Sequence, residues 1–161
     1  PILQELVDNI VVVSESAIEA AVYTLMSRQK TVTEGAGAVP LAALSTYPEL
    51  AKGKIALVLS GGNIDMMSMT SVVQRELVRT KRLVRIRVMI PDVPGALSGI
   101  SRRLGELDSN IVEIDHRRIF GGSYLGSLNI EFVLSLCGEE QADLVLQGLR
   151  DSGYDATLQE V

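Results

Sequence analysis

The stretch Leu83-Val84-Arg85-Ile86-Arg87-Val88-Met89-Ile90-Pro91-Asp92-Val93-Pro94-Gly95-Ala96-Leu97 decides how the chain is read. Leu83, Arg85, Arg87 and Met89 alternate with Val84, Ile86, Val88 and Ile90, the period of two expected of a half-buried strand. Pro91 to Gly95 break that strand. Ala96, Leu97, Ile100, Leu104 and Leu107 then mark one face of a helix. Asn110 restarts the chain, and Ile111-Val112-Glu113-Ile114-Asp115 begins a second strand. Gly121-Gly122-Ser123 predicts a tight turn into a long partner strand from Leu125 to Leu136. Residues 139–151 read as helical, and Tyr154 to Leu158 as a last strand.

The resulting order, β-α-β-β-α-β over residues 82–161, is the ferredoxin-like arrangement. Residues 1–81 read differently. Ile10-Val11-Val12-Val13 is a β-branched run that predicts a strand, followed by Ser14 as N-cap of a helix carrying Ala17, Ile18, Ala21, Leu25 and Met26. Glu34-Gly35-Ala36-Gly37-Ala38 opens a helix of small residues that runs through Leu41 and Leu44, with Pro40 acceptable only in about its first turn. Gly53 precedes Ile55-Ala56-Leu57-Val58-Leu59, an apolar run of buried-strand type that ends in Ser60-Gly61-Gly62-Asn63. A helix over roughly 66–79 leads out.

Composition narrows the function classes. Of 161 residues, 47% are apolar, enough to fill a core, and 15 Lys+Arg stand against 20 Asp+Glu. Most of the excess acid lies in 82–161, which carries 12 acidic and eight basic residues. An acidic chain without a basic run points away from nucleic acid. No apolar stretch approaches the ~20 residues that span a bilayer, and the first residues do not read as a secretion signal. One cysteine, Cys137, and one histidine, His116, exclude an internal disulfide and leave little for zinc. A reducing, cytoplasmic compartment is expected, with no membrane partner. Cys137 reads as a buried thiol, His116 as a sheet-face residue, and one of Arg117 and Arg118 as pointing to solvent.

Three places offer chemistry. Ser60-Gly61-Gly62-Asn63 puts a hydroxyl and bare backbone at the end of an apolar run, a common place for ligands in α/β folds, although an ordinary strand-to-helix turn uses the same letters. Asp92, Pro94 and Gly95 sit where a strand hands over to a helix. Backbone N–H groups there attract a carboxylate, while a rigid turn capped by Asp92 is the commoner use of this pattern. Asn110 is either a ligand contact or a helix-terminating residue in left-handed geometry. Glu34-Gly35-Ala36-Gly37 is not a dinucleotide fingerprint, because Pro40 and the lack of a suitably spaced acid break the pattern. Its glycines suit close packing of a helix against a sheet or cofactor.

Together these motifs resemble a known family. Glu34-Gly35-Ala36-Gly37-Ala38, followed by Leu59-Ser60-Gly61-Gly62-Asn63-Ile64-Asp65, resembles the C-terminal third of the catalytic domain of the threonine dehydratases (threonine ammonia-lyases), pyridoxal-phosphate enzymes of fold type II. Arg85 to Leu97 with Asn110-Ile111 is similar to an ACT domain, a regulatory amino-acid sensor. The resemblance implies an α/β chain of two parts, 1–81 from the catalytic domain and 82–161 as the ACT domain. It implies that Ser60 hydrogen-bonds the cofactor's pyridine nitrogen, with Glu34 near the ring and Gly61, Gly62 and Asn63 at the rim. It also implies a Schiff-base lysine in a Ser-Phe-Lys context and a Gly-rich phosphate loop. None of Lys30, Lys52, Lys54 and Lys81 has those neighbours, so both are expected on a missing N-terminal catalytic part, and this chain alone is expected neither to catalyse nor to retain pyridoxal phosphate.

For 82–161 the resemblance implies side-by-side pairing into a homo-oligomer. An amino-acid effector, isoleucine or valine, would bind at Asp92, Pro94, Gly95, Ala96 and Leu97, with Asn110 and Ile111 facing that loop. Three functions follow: a lyase fragment active once its other half is supplied, a free-standing ACT module that binds amino acids and dimerises, or an assembly domain that binds nothing.

Overall fold

The computed structural model describes residues 5–116 and 126–159. The chain divides into two compact units, Pro1–Glu76 and Leu77–Val161.

In the first unit, α1 (Glu15–Thr24) starts where Ser14 accepts the Ala17 N–H in its hydroxyl oxygen at 3.3 Å. A π-helical turn, Leu25–Gln29, follows and stops at Lys30 in left-handed geometry (φ 57°). The second helix, α2 (Gly35–Thr46), buries Gly37, Ala38 and Ala42. Pro40 lies beyond the first turn, as the sixth residue, so the Ala36 carbonyl receives no bond from position 40. Packing of the small buried residues around it holds the helix together. The third helix, α3 (Met66–Arg79), begins at Asp65, whose carboxylate accepts the Ser68 N–H at 2.9 Å. Ala21, Val22, Leu25, Ala38, Ala42 and Val72 form a small core.

Two predicted strands are absent. Residues 10–13 and 55–59 carry no strand pairing among the described residues. Ile55, Leu57, Val58 and Leu59 are 37–76% exposed, and Ile10 and Val12 lie in solvent as well. A β-branched or apolar run becomes a strand only when another chain segment takes its backbone N–H and C=O groups. Among the described residues no strand ladder forms on either run; the Val12 carbonyl accepts only a side-chain bond, from the Tyr47 hydroxyl at 2.8 Å.

The second unit matches the alternation. Strand β1 (Leu83–Pro91), helix α4 (Ala96–Glu106), strands β2 (Asn110–His116) and β3 (Ser127–Ser135), helix α5 (Glu139–Asp151) and strand β4 (Asp155–Gln159) follow the β-α-β-β-α-β order. The sheet is antiparallel, ordered β2-β3-β1-β4. Strand β1 pairs with β3 along nine residues, from Leu83 with Ser135 to Pro91 with Ser127, and with β4 along five, Arg85 to Met89. A bulge between Ile111 and Glu113 interrupts β2, an edge strand. Val84, Ile86, Val88 and Ile90 meet Ile130, Phe132 and Leu134, and Ile100, Leu104, Val145 and Leu149 of the two helices close the core. Cys137 is exposed, not buried. The alternation that buries Leu134 and Leu136 puts position 137 on the outside, and its N–H donates to the Gln141 side chain at 2.7 Å. The predicted turn Gly121-Gly122-Ser123, the predicted strand start Leu125, and Arg117-Arg118 lie outside the described residues.

Candidate functional site

The Ser60 turn and the start of α2 are brought together although 28 residues separate Thr33 from Gly61. Gly61 adopts φ +79°, which favours glycine. Its carbonyl accepts two bonds, from the Thr33 hydroxyl at 2.8 Å and from the Glu34 backbone N–H at 3.2 Å. Glu34 occupies the cap position of α2, and its own carbonyl takes the N–H groups of Gly37 and Ala38. The approach leaves no room for side chains. A Cβ on Gly37 would collide with the Ser60 carbonyl and the Thr33 hydroxyl, and one on Gly61 with the Glu34 carboxylate. Gly37 therefore permits close packing, as expected, but on the Ser60 turn and not on a sheet, while Gly35 faces the Ile18 side chain.

Ser60, Gly61, Gly62 and Asn63 are exposed. Glu34 and Asn63 line an open recess of about 310 Å³ together with Glu15, Glu19, Asp65 and Ser68. Hydrogen bonds from the Ser68 hydroxyl and then its backbone N–H hold the Asp65 carboxyl below the usual carboxylate range. A heteroaromatic ring nitrogen set against this turn would meet a neutral hydroxyl on bare backbone, so Ser60 to Gly62 suit one wall of such a site. Thr33, 3% exposed and bonded across the turn, is a residue sequence reasoning missed. A hydroxyl residue directly before a Glu-Gly-Ala-Gly run was the available signal.

In the second unit, Gly95 caps α4 with φ +87° and no side-chain bond. The Asp92 N–H donates to the Gly126 carbonyl at 3.0 Å, and the Ala96 N–H to Val93 at 3.3 Å. Asp92, Pro94 and Gly95 are exposed, while Ala96 and Leu97 pack partly on the core. Asn110 opens β2 opposite Ser135, which pairs with Leu83, whereas Asp92 follows Pro91 at the other end of β1. Eight residue steps of roughly 3.4 Å, about 27 Å, separate the two ends. Within one chain Asn110 and Ile111 do not face the loop. Asn110 is extended, and the left-handed helix terminator is Asp108 (φ 54°), two residues earlier. His116 ends β2 and is exposed.

The family model that matches residues 84–152 is the ACT domain. Residues 84–152 are an ACT domain. Over nearly its whole length the chain is also homologous to L-threonine ammonia-lyases. It is 39% identical over 156 residues to the "L-threonine ammonia-lyase" of Geobacter sulfurreducens, covering 96% of this chain and 39% of that protein. It is 32% identical over 157 residues to the "L-threonine ammonia-lyase" of Thermotoga maritima, again covering 39% of the relative. The "L-threonine dehydratase biosynthetic IlvA" of a Staphylococcus aureus strain is 37% identical over 92 residues, covering 56% of this chain and 22% of that protein. The chain thus spans about two fifths of the length of the first two relatives. Both the ACT domain and the segment that holds the Ser60 turn fall inside those alignments, which run across 96% and 98% of the chain. Among the described residues, no helix is long and apolar enough to cross a membrane.

Proposed function

We propose that the chain is the C-terminal, regulatory portion of a cytoplasmic, pyridoxal-phosphate-dependent threonine ammonia-lyase, which converts L-threonine to 2-oxobutanoate and ammonia. The observation that carries this reading is the clasp of Ser60-Gly61 on Thr33, Glu34 and Gly37, held on the same chain as an ACT domain. When bound, pyridoxal phosphate supplies the electron sink for loss of the substrate's β-hydroxyl. Ser60 would offer its pyridine nitrogen a neutral partner, which does not force that nitrogen to stay protonated. Gly61 and Gly62 would let the ring approach the backbone, with Glu34 and Asn63 at the rim. The residues that bond the cofactor covalently and hold its phosphate would come from the N-terminal part of the enzyme.

The ACT domain would sense isoleucine or valine at Asp92, Pro94, Gly95, Ala96 and Leu97. Asn110 and Ile111 would reach that loop from a second copy. An antiparallel pairing of two β2 edges turns the second sheet end for end, carrying its Asn110 toward the Asp92 loop of the first. Exposed Val112 (58%) and Ile114 (40%) on this edge favour such a neighbour over solvent. Effector binding and catalysis would be coupled through this pairing, typically by ~1–3 kcal/mol.

Two measurements test the reading. Mixing the chain with the N-terminal part of the Geobacter sulfurreducens relative should yield 2-oxobutanoate from L-threonine, and Ser60→Ala should lower that yield. Titration calorimetry of the chain alone with isoleucine and valine should give heat at millimolar ligand or below. Absence of product with a folded mixture removes the lyase assignment, and absence of heat removes the effector assignment.

A further inference from the structure

Helices α4 and α5 cover one face of the ACT sheet, and the other face presents ordered columns of charge. The strand register sets those columns row by row. Glu113, Val133 and Arg85 are neighbours in one row, and Asp115, Glu131 and Arg87 in another row on the same face. Arg85, Glu113, Asp115 and Glu131 surround a shallow recess whose floor is Val133. Within the chain, Glu131 is taken by Arg87, whose Nε and Nη2 both donate to Oε1 at 3.1 and 2.7 Å. Arg85 stands farther off, 3.9 Å from Glu131, and half exposed. The face therefore carries an acidic column on β2 and a basic column on β1, two strand spacings apart, with β3 midway between them.

We propose that this face is a contact between two copies of the chain, stacked about a two-fold axis that runs along β3. Rotation about that axis exchanges the columns and preserves the rows. Glu113 of each copy then lies over Arg85 of the other, and Asp115 over Arg87. Val133 meets its own counterpart on the axis, filling the recess, and Glu131 faces its counterpart there too, each neutralised by its own Arg87. Facing sheets pack about 10 Å apart, a gap that an Arg and a carboxylate span together. One patch complements itself, as a two-fold interface requires. The contact rests on reading residues 82–161 as an associating module, but it uses the open face and leaves the β2 edge free.

Sedimentation equilibrium of the 161-residue chain tests this with two charge-reversed proteins, Arg85→Glu with Arg87→Glu in one, and Glu113→Lys with Asp115→Lys in the other. Circular dichroism establishes that each is folded. The parent should self-associate in low salt and dissociate as salt rises toward 1 M, where screening reaches within about 3 Å. Each reversed protein should associate at least tenfold more weakly, and an equimolar mixture should recover association as a heterodimer. Reversed proteins that associate like the parent, or a mixture that stays dissociated, overturn the contact. Val112→Pro separates it from edge pairing, because Val112 has no partner in β3. If only that change dissociates the chain, association belongs to the edge and the stacked face fails. A parent that remains monomeric in low salt overturns both.

Discussion

Gly37 carries a constraint that its position inside a helix does not reveal. Alanine is a better helix former by up to about 1 kcal/mol, yet a Cβ at position 37 would strike the Ser60 carbonyl, which is backbone and cannot swing aside. Gly37→Ala should destabilise the first unit by about 1–3 kcal/mol in urea unfolding, within the range of an overpacked core. Gly105 in α4 has nothing near its missing Cβ. Gly105→Ala should stabilise the second unit by about 0.5–1 kcal/mol, in the same assay. Asp65 makes its case through pH. Its carboxyl is held below its unfolded value by Ser68, so it contributes stability above that unfolded value, and loses it as pH falls through the lowered one. The stability gap between the parent and Asp65→Ala should therefore be widest at neutral pH and close in acid. A gap that is constant across pH would show that the charged cap is not its source. Thr33 escaped the sequence because its role depends on a partner 28 residues away, whereas the glycine turn after Ser60 was legible from its immediate neighbours.

At the scale of elements, legibility followed how local the determinant was. The alternation of β1 announced itself because one face is buried against helices along its whole length. Phe132 of β3 lies at the centre of that burial, with no exposed surface, and Phe132→Ala should cost about 3–5 kcal/mol. Leu144 on α5 is 67% exposed, so Leu144→Ala should change stability by less than about 0.5 kcal/mol. Thermal melts of the two variants distinguish the sites directly. Ile55 to Leu59 show the opposite case. Their apolar run looks like a buried strand, but strand formation is a property of pairs, and the described residues offer it no partner. Cys137 was misjudged for a related reason. Thiols are buried on average, yet here the inside–outside alternation of the preceding strand places it in solvent. Asn110 and the Asp92 loop each read as candidate contacts, and only the register revealed that they lie at opposite ends of the sheet.

Across the whole molecule, the two units differ in how completely they satisfy themselves. The ACT unit closes a core around both helices and all four strands. Among the described residues, the first unit has a core of six buried residues and leaves Ile10, Val12, Val58 and Leu59 in solvent. Unpaired apolar segments of this kind are ready templates for association. Val58→Lys should reduce concentration-dependent light scattering of the chain, without altering the thermal transition of the ACT unit. Unchanged scattering would mean that the segment adds nothing to association.

By itself, the sequence determined the β-α-β-β-α-β order and the helices of the first unit. Each of those follows from residues within a turn or two of one another, where side-chain period and backbone preference act locally. Only the tertiary structure decided that Thr33 and Gly37 grip the Ser60 turn, that the acidic and basic columns share rows on one face, and that residues 10–13 and 55–59 form no strand among the described residues. Those outcomes depend on which distant backbone groups come within hydrogen-bonding reach, and chain folding, not local composition, sets that distance.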